Sequence, residues 1–127
     1  MLADKEVMSF VATAQPDKAK AFYGDVLGLK LVEDAWHAII FKIGDRRLHI
    51  QKLKEFTPQQ FTVLGWSVPD IKAVAAELAQ RGVKFERHPG MEQDAEGIWT
   101  TPDGAGKVCW FKDPEGNTLS LTEFAKP

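Results

Sequence analysis

The sequence holds a single cysteine, Cys109, so it can form no internal disulfide. Such a chain suits a reducing compartment, and the cytoplasm is the expected location. A tetrahedral zinc site would have to use histidines and carboxylates in place of several thiolates. Long hydrophobic runs are also missing. Stretches such as "AIIF" fall far short of the roughly 20 apolar residues that cross a bilayer, so no membrane partner is expected. No block of Lys and Arg stands out, and the net charge is −2, which argues against nucleic acid as a partner. The opening residues "MLADKEVMSF" lack the basic start and apolar core of a secretory signal.

What is present reads as one globular domain spanning residues 1–127, with apolar and charged fractions of 44% and 27% typical of soluble proteins. "VMSFVAT" (Val7 to Thr13) alternates as a strand does. Pro16 then suits the first turn of a helix and Gly28 its stop. Between them Ala19, Phe22, Tyr23, Val26 and Leu27 keep helical spacing and form one apolar stripe. Strands are expected at Leu29 to Val32, Trp36 to Ile43 and Arg47 to Leu53, the last two joined by the turn in "IGDRR".

The second half repeats this order. "FTVLGWSV" is a strand, and "PDIKAVAAELAQRG" is a helix opened by Pro69 and closed by Gly82, with Ile71, Val74, Ala75, Leu78 and Ala79 as its stripe. "VKFE", "GKVCWFK" and "NTLSLTE" follow as strands, with a long polar stretch after the first. "LGLKL" matches "RGVKF", and "FKIGDRRLHIQ" matches "FKDPEGNTLSLT", which pairs His49 with Ser120. The chain therefore reads as α+β, two tandem βαβββ modules over about 7–53 and 62–124. They would form a curved mixed sheet around a cavity, with the helices outside. Leu48, Ile50, Leu119 and Leu121 should face the helices, leaving His49, Gln51, Ser120 and Thr122 to line the cavity.

"AFYGDVLGLKL" and "WFKDPEGNTLSLTEF", one in each half, resemble the vicinal oxygen chelate superfamily, also called glyoxalase/bleomycin resistance protein/dioxygenase. The resemblance spans roughly Val7 to Phe124 and implies paired βαβββ modules and a homodimer. The superfamily includes metal-dependent isomerases, epimerases, extradiol dioxygenases and fosfomycin-modifying transferases, and also binding proteins that do no chemistry. In its metal enzymes four ligands, usually His, Glu or Gln, sit on the first and last strands of the modules. Carried onto this chain, those positions fall at Met8, His49, Val63 and Ser120. Only His49 is a good donor for a divalent metal, with Gln51 as a second if the register differs. Hence no cofactor is expected, and a divalent metal is the family alternative.

The expectation is a metal-free protein that binds a small molecule in an aromatic, half-polar cavity. The alternative is a lyase, isomerase or dioxygenase with a non-standard metal site. Met8, Phe10, His49, Gln51, Val63, Trp99, Trp110, Ser120 and Thr122 are the candidate ligand contacts. His49 reads either as a catalytic base or as a cavity histidine bonded to Ser120 or Gln51. His37 reads as a surface residue at a strand edge, and His88 and Lys112 as solvated. Cys109 reads as a small buried hydrophobe. The stretch Gly90 to Gly106 either covers the cavity or forms an exposed hairpin extension.

Overall fold

The computed structural model describes residues 1–126. The chain forms two compact units, Met1–Thr57 and Pro58–Pro127, and each carries one βαβββ module. The strands build two open, mixed sheets of four, one in each unit, the α+β pairing of βαβββ modules expected from the sequence. No helix among the described residues is long and apolar enough to cross a membrane.

In the first unit strand β1 is Ser9–Thr13, helix α1 is Pro16–Ala21, and strands β2, β3 and β4 are Lys30–Asp34, Ala38–Ile43 and Arg46–Lys52. The sheet order is β1-β4-β3-β2. The first and last strands lie side by side in parallel, with Phe10 opposite His49 and Val11 opposite Ile50. One face of this sheet is packed: Val11, Ile39, Phe41, Leu48 and Ile50 are all buried. Each such side chain contributes about 1.5–3 kcal/mol through removal from water. The opposite face carries Phe10, Ala12, Ile40, His49 and Gln51, as strand alternation requires.

The helical stretch departs from the expected α-helical stripe. After Ala21 it widens into a π-helical turn over Phe22–Val26, closed by Leu27 N–H donating to Phe22 O at 2.9 Å. The wider turn shifts the phase of the stripe. Tyr23 alone of the aromatic pair becomes fully buried, 6.3 Å from the Phe41 ring, while Phe22, Val26 and Leu27 are half-buried. Gly28 adopts φ 77° and ends the turn, as expected of a stop glycine.

In the second unit β5 is Thr62–Ser67, α2 is Ile71–Gln80, β6 is Trp99–Thr100, β7 is Gly106–Lys112 and β8 is Thr118–Phe124. The order β5-β8-β7-β6 repeats that of the first unit, so the duplication seen in the sequence is one of topology as well. Asp70 caps α2 by accepting from Ala73 N–H at 3.1 Å, and Glu123 accepts from Ile71 N–H at 2.9 Å. Ile71, Ala75 and Leu78 of the helix are buried, as are Cys109, Phe111, Leu119 and Leu121 of the sheet.

"VKFE" does not form the expected strand. Phe85 makes one bridge to Phe111 and Glu86 N–H donates to Trp110 O at 2.8 Å, while β6, drawn from the polar stretch, pairs with Lys107 and Val108 at the other end of β7. Gln93 ties the two segments together. Its amide group donates to Glu86 O at 2.9 Å and Gly97 O at 2.8 Å, and its carbonyl accepts from His88 N–H at 2.8 Å. One side chain thereby satisfies backbone groups that a strand would have paired. Gly97, at φ 88°, sits where a Cβ would lie 3.0 Å from Phe85 Cβ, so the loop can press against this segment.

The turn at "DPEGN" is held from within. Asp113 Oδ1 accepts from Glu115 N–H and Asn117 N–H, each at 2.9 Å, and Asp113 Oδ2 accepts from Asn117 Nδ2 at 2.8 Å. This buried cluster sets the register of the β7-β8 hairpin, and that register places Trp110 opposite Ser120.

Candidate functional site

The open face of the second sheet is laid out by strand register. Gly65, Ser120 and Trp110 form one row across β5, β8 and β7. Ser67, Thr122, Val108 and Trp99 form the next, extending onto β6. Thr118 and Lys112 form the row on the other side of Ser120. Val63 lies at an irregularity in β5, half-buried and outside the regular rows.

At the Lys112 end this face opens into a cleft of about 520 Å³. Trp110, Phe61, Met91 and His88 supply its apolar and aromatic lining, and Glu86, Lys112 and Thr118 its polar groups. The size is that of a small-molecule site, and so is the mix of apolar wall with a few polar groups. His88 meets Trp110 edge-on, with ring centroids 5.2 Å apart at 87°. Trp99 lies 6.2 Å from Trp110. Lys112 Nζ donates to Thr118 Oγ1 at 3.2 Å and stands 3.9 Å from Glu86 Oε1.

Of the residues singled out from the sequence, Trp110 lines this cleft, with Trp99 and Ser120 its neighbours. Thr122 belongs to a separate hollow of about 420 Å³ at the far end of the face, with Val108 and Phe124. Glu86, His88 and Lys112 were not expected at a site. His88 and Lys112 had looked solvated, and His88 does remain exposed although its ring borders the cleft. The available signal was alternation: Lys112 lies two residues beyond Trp110 and so shares its face. Nothing in the sequence announced His88, which is brought in by the Gln93 clasp.

In the first unit Phe10 and His49 sit together on the open face, ring centroids 5.3 Å apart. Nδ1 of His49 is buried and has no hydrogen-bond partner among the described residues. An unsatisfied buried ring nitrogen is costly, about 1–3 kcal/mol, and calls for a partner. Gln51 lies exposed one row away, opposite Ala12 and Ala38. Met8, 54% exposed, precedes β1. Trp36, which had seemed the start of a strand, is 90% exposed in a bend before β3.

Cys109 is buried, and its thiol is pushed up to about 12, chiefly by desolvation. It is a core residue with no nucleophilic character.

The model of the Glyoxalase/Bleomycin resistance protein/Dioxygenase superfamily matches residues 6–121. The chain belongs to this superfamily. Its fold is shared by an integron cassette protein from the mobile metagenome of the Halifax Harbour sewage outfall, with TM-score 0.75, 19% identity, and coverage of 95% of this chain and 99% of that one. A genomically encoded fosfomycin resistance protein from Listeria monocytogenes has TM-score 0.74, 10% identity, and coverage of 96% and 94%. A lactoylglutathione lyase from Agrobacterium tumefaciens has TM-score 0.69, 20% identity, and coverage of 94% and 93%. At such identities the likeness is one of fold. A comparison with curated proteins found no match.

The metal that the superfamily often carries can be tested against the donors at the four corresponding positions. They are a thioether at Met8, an imidazole at His49, a hydrocarbon at Val63 and a hydroxyl at Ser120. A catalytic metal needs about three protein ligands, and here one good donor is present. Among the described residues no three His, Cys, Asp or Glu side chains gather into a potential metal site. These donors do not make a set that fits a divalent metal.

Proposed function

We propose that the protein binds a small, partly aromatic molecule and does so without a resident metal. The observation that carries this reading is the cleft on the second sheet, where Trp110, Phe61 and Met91 meet Lys112, Glu86 and Thr118. Apolar rings provide contact area, and the few polar groups orient the guest. The donor set at Met8, His49, Val63 and Ser120 supports the absence of metal chemistry. Members of the superfamily commonly pair, and a homodimer in the cytoplasm is part of the proposal.

His49 favours a second, enzymatic reading. Its enclosed Nδ1 has no partner among the described residues, so a polar group of a guest would satisfy it. In that role His49 acts as a cofactor-free general base.

The test is ligand binding by chelator-treated protein, followed by tryptophan fluorescence and calorimetry against a panel of small aromatic compounds. The proposal expects saturable binding that survives chelation and is lost in Trp110→Ala. Binding or turnover that appears only after metal is added would overturn it. A His49→Ala variant separates the two readings: loss of affinity alone marks a binding residue, and loss of turnover at intact affinity marks a base.

A further inference from the structure

We infer that the cleft beside Trp110 selects an aromatic anion, a flat ring carrying a carboxylate or a similar oxyanion, with Lys112 as the group that receives the charge. The inference rests on the binding reading above and sharpens it to a ligand class. Trp110 and Lys112 alternate on β7 and project from the same face. Two residues of extended strand separate their backbones by about 7 Å, a span a ring and its attached carboxylate can bridge.

The Lys112 ammonium is placed by a neutral partner. Thr118 Oγ1 accepts from it at 3.2 Å, and the nearest Glu86 oxygen, at 3.9 Å, lies outside hydrogen-bond reach. A lysine ammonium has three donors, so two remain for a guest. Gln60, Thr62 and Thr118 add amide and hydroxyl donors around the same cleft. Among the described residues Glu86 is the carboxylate lining it, and its backbone is fixed by Trp110 O and by Gln93. Arg87, the next residue, spends its guanidinium on Ala95 O at 2.7 Å and leaves Lys112 as the cation lining the cleft. Glu86 then acts as a gate on affinity: it draws on the Lys112 charge until a better-placed oxyanion replaces it. A cationic guest would have to share Glu86 with an ammonium already held beside it, and like charges at that range repel.

The experiment compares three probes of one shape: indole-3-acetate, its neutral amide and the cation tryptamine. Binding to chelator-treated protein is measured by calorimetry at low and high salt. The acid should bind about tenfold more tightly than the amide, the scale of one charge-assisted hydrogen bond, and should weaken with salt. Lys112→Met should bring the acid down to the affinity of the amide and abolish its salt dependence, and Glu86→Gln should tighten the acid. Equal binding of acid and amide, or tighter binding of tryptamine, overturns the anion inference and leaves the binding reading standing. Binding of none of the three, by protein shown to be folded, overturns both for this cleft. Because Glu86→Gln is expected to gain affinity, a folding defect cannot imitate its result.

Discussion

A Cβ added to Gly65 would lie 2.7 Å from Ser120 Oγ. The two residues are register partners on β5 and β8, and the serine hydroxyl fills the room that the glycine leaves open. Ser120 is 8% exposed, so its oxygen serves packing on this face more than it offers a free donor to a metal. Gly65→Ala should therefore destabilise the fold by about 1–2 kcal/mol, as small overpacking changes do. The next atoms around that point are Ser120 O at 3.5 Å and Ser120 Cβ at 4.0 Å, which are ordinary contacts. In a Ser120→Ala background the same glycine change should cost little. Urea unfolding of the double-mutant cycle checks this, and simple additivity would contradict it.

Trp36 and Trp110 should behave as opposites. Trp36 is 90% exposed and sits outside any strand. Trp36→Phe should remove the emission most open to acrylamide and leave melting temperature and ligand affinity unchanged. Trp110→Ala should abolish ligand-induced quenching. Loss of binding in Trp36→Phe would place the site elsewhere.

Gln93→Ala should loosen the wall that carries Glu86 and His88. The variant leaves Glu86 O, Gly97 O and His88 N–H without their side-chain partner. A stability loss of about 1–3 kcal/mol is expected for unsatisfied groups of this kind. Affinity should fall as well, although Gln93 does not line the cleft. Hydrogen exchange of residues 85–98 should accelerate relative to the β7-β8 hairpin; uniform exchange across the unit would contradict a local clasp.

Cys109 sets a pH dependence with a definite sign. Burial holds its thiol up to about 12, above the usual thiol value of 9.0. The neutral thiol is thus favoured by the fold. Its share of stability is intact below about pH 9 and is lost as pH climbs from there towards 12. Unfolding free energy should fall more steeply over that window in the native sequence than in Cys109→Ala. Iodoacetamide at pH 8 should label Cys109 only as fast as the chain unfolds. Rapid labelling of the folded protein would show the thiol to be reachable.

Much of the fold is legible in the residues because local and long-range signals agree. Pro16 with Gly28, and Pro69 with Gly82, bracket both helices, and the hairpins follow from alternation around "IGDRR" and "DPEGN". The misses have particular causes. The π turn over Phe22–Val26 accompanies the packing of Tyr23 beside Phe41, a long-range contact that a periodicity of 3.6 does not encode. "VKFE" has strand composition, but only Phe85 and Glu86 meet β7, and Glu86 O turns to the Gln93 amide instead of continuing a ladder. The cleft was half legible. Trp110 was expected to contact the ligand, whereas His88 arrives through a loop whose path no local pattern fixes.

The proposed absence of a resident metal is tested most directly by metal stoichiometry. Tag-free protein is dialysed in turn against nickel, zinc, manganese and ferrous iron, freed of excess, and assayed for metal per chain. Near-zero occupancy for all four is the predicted result. One metal per chain, lost in a His49→Ala variant that still folds, would contradict the account.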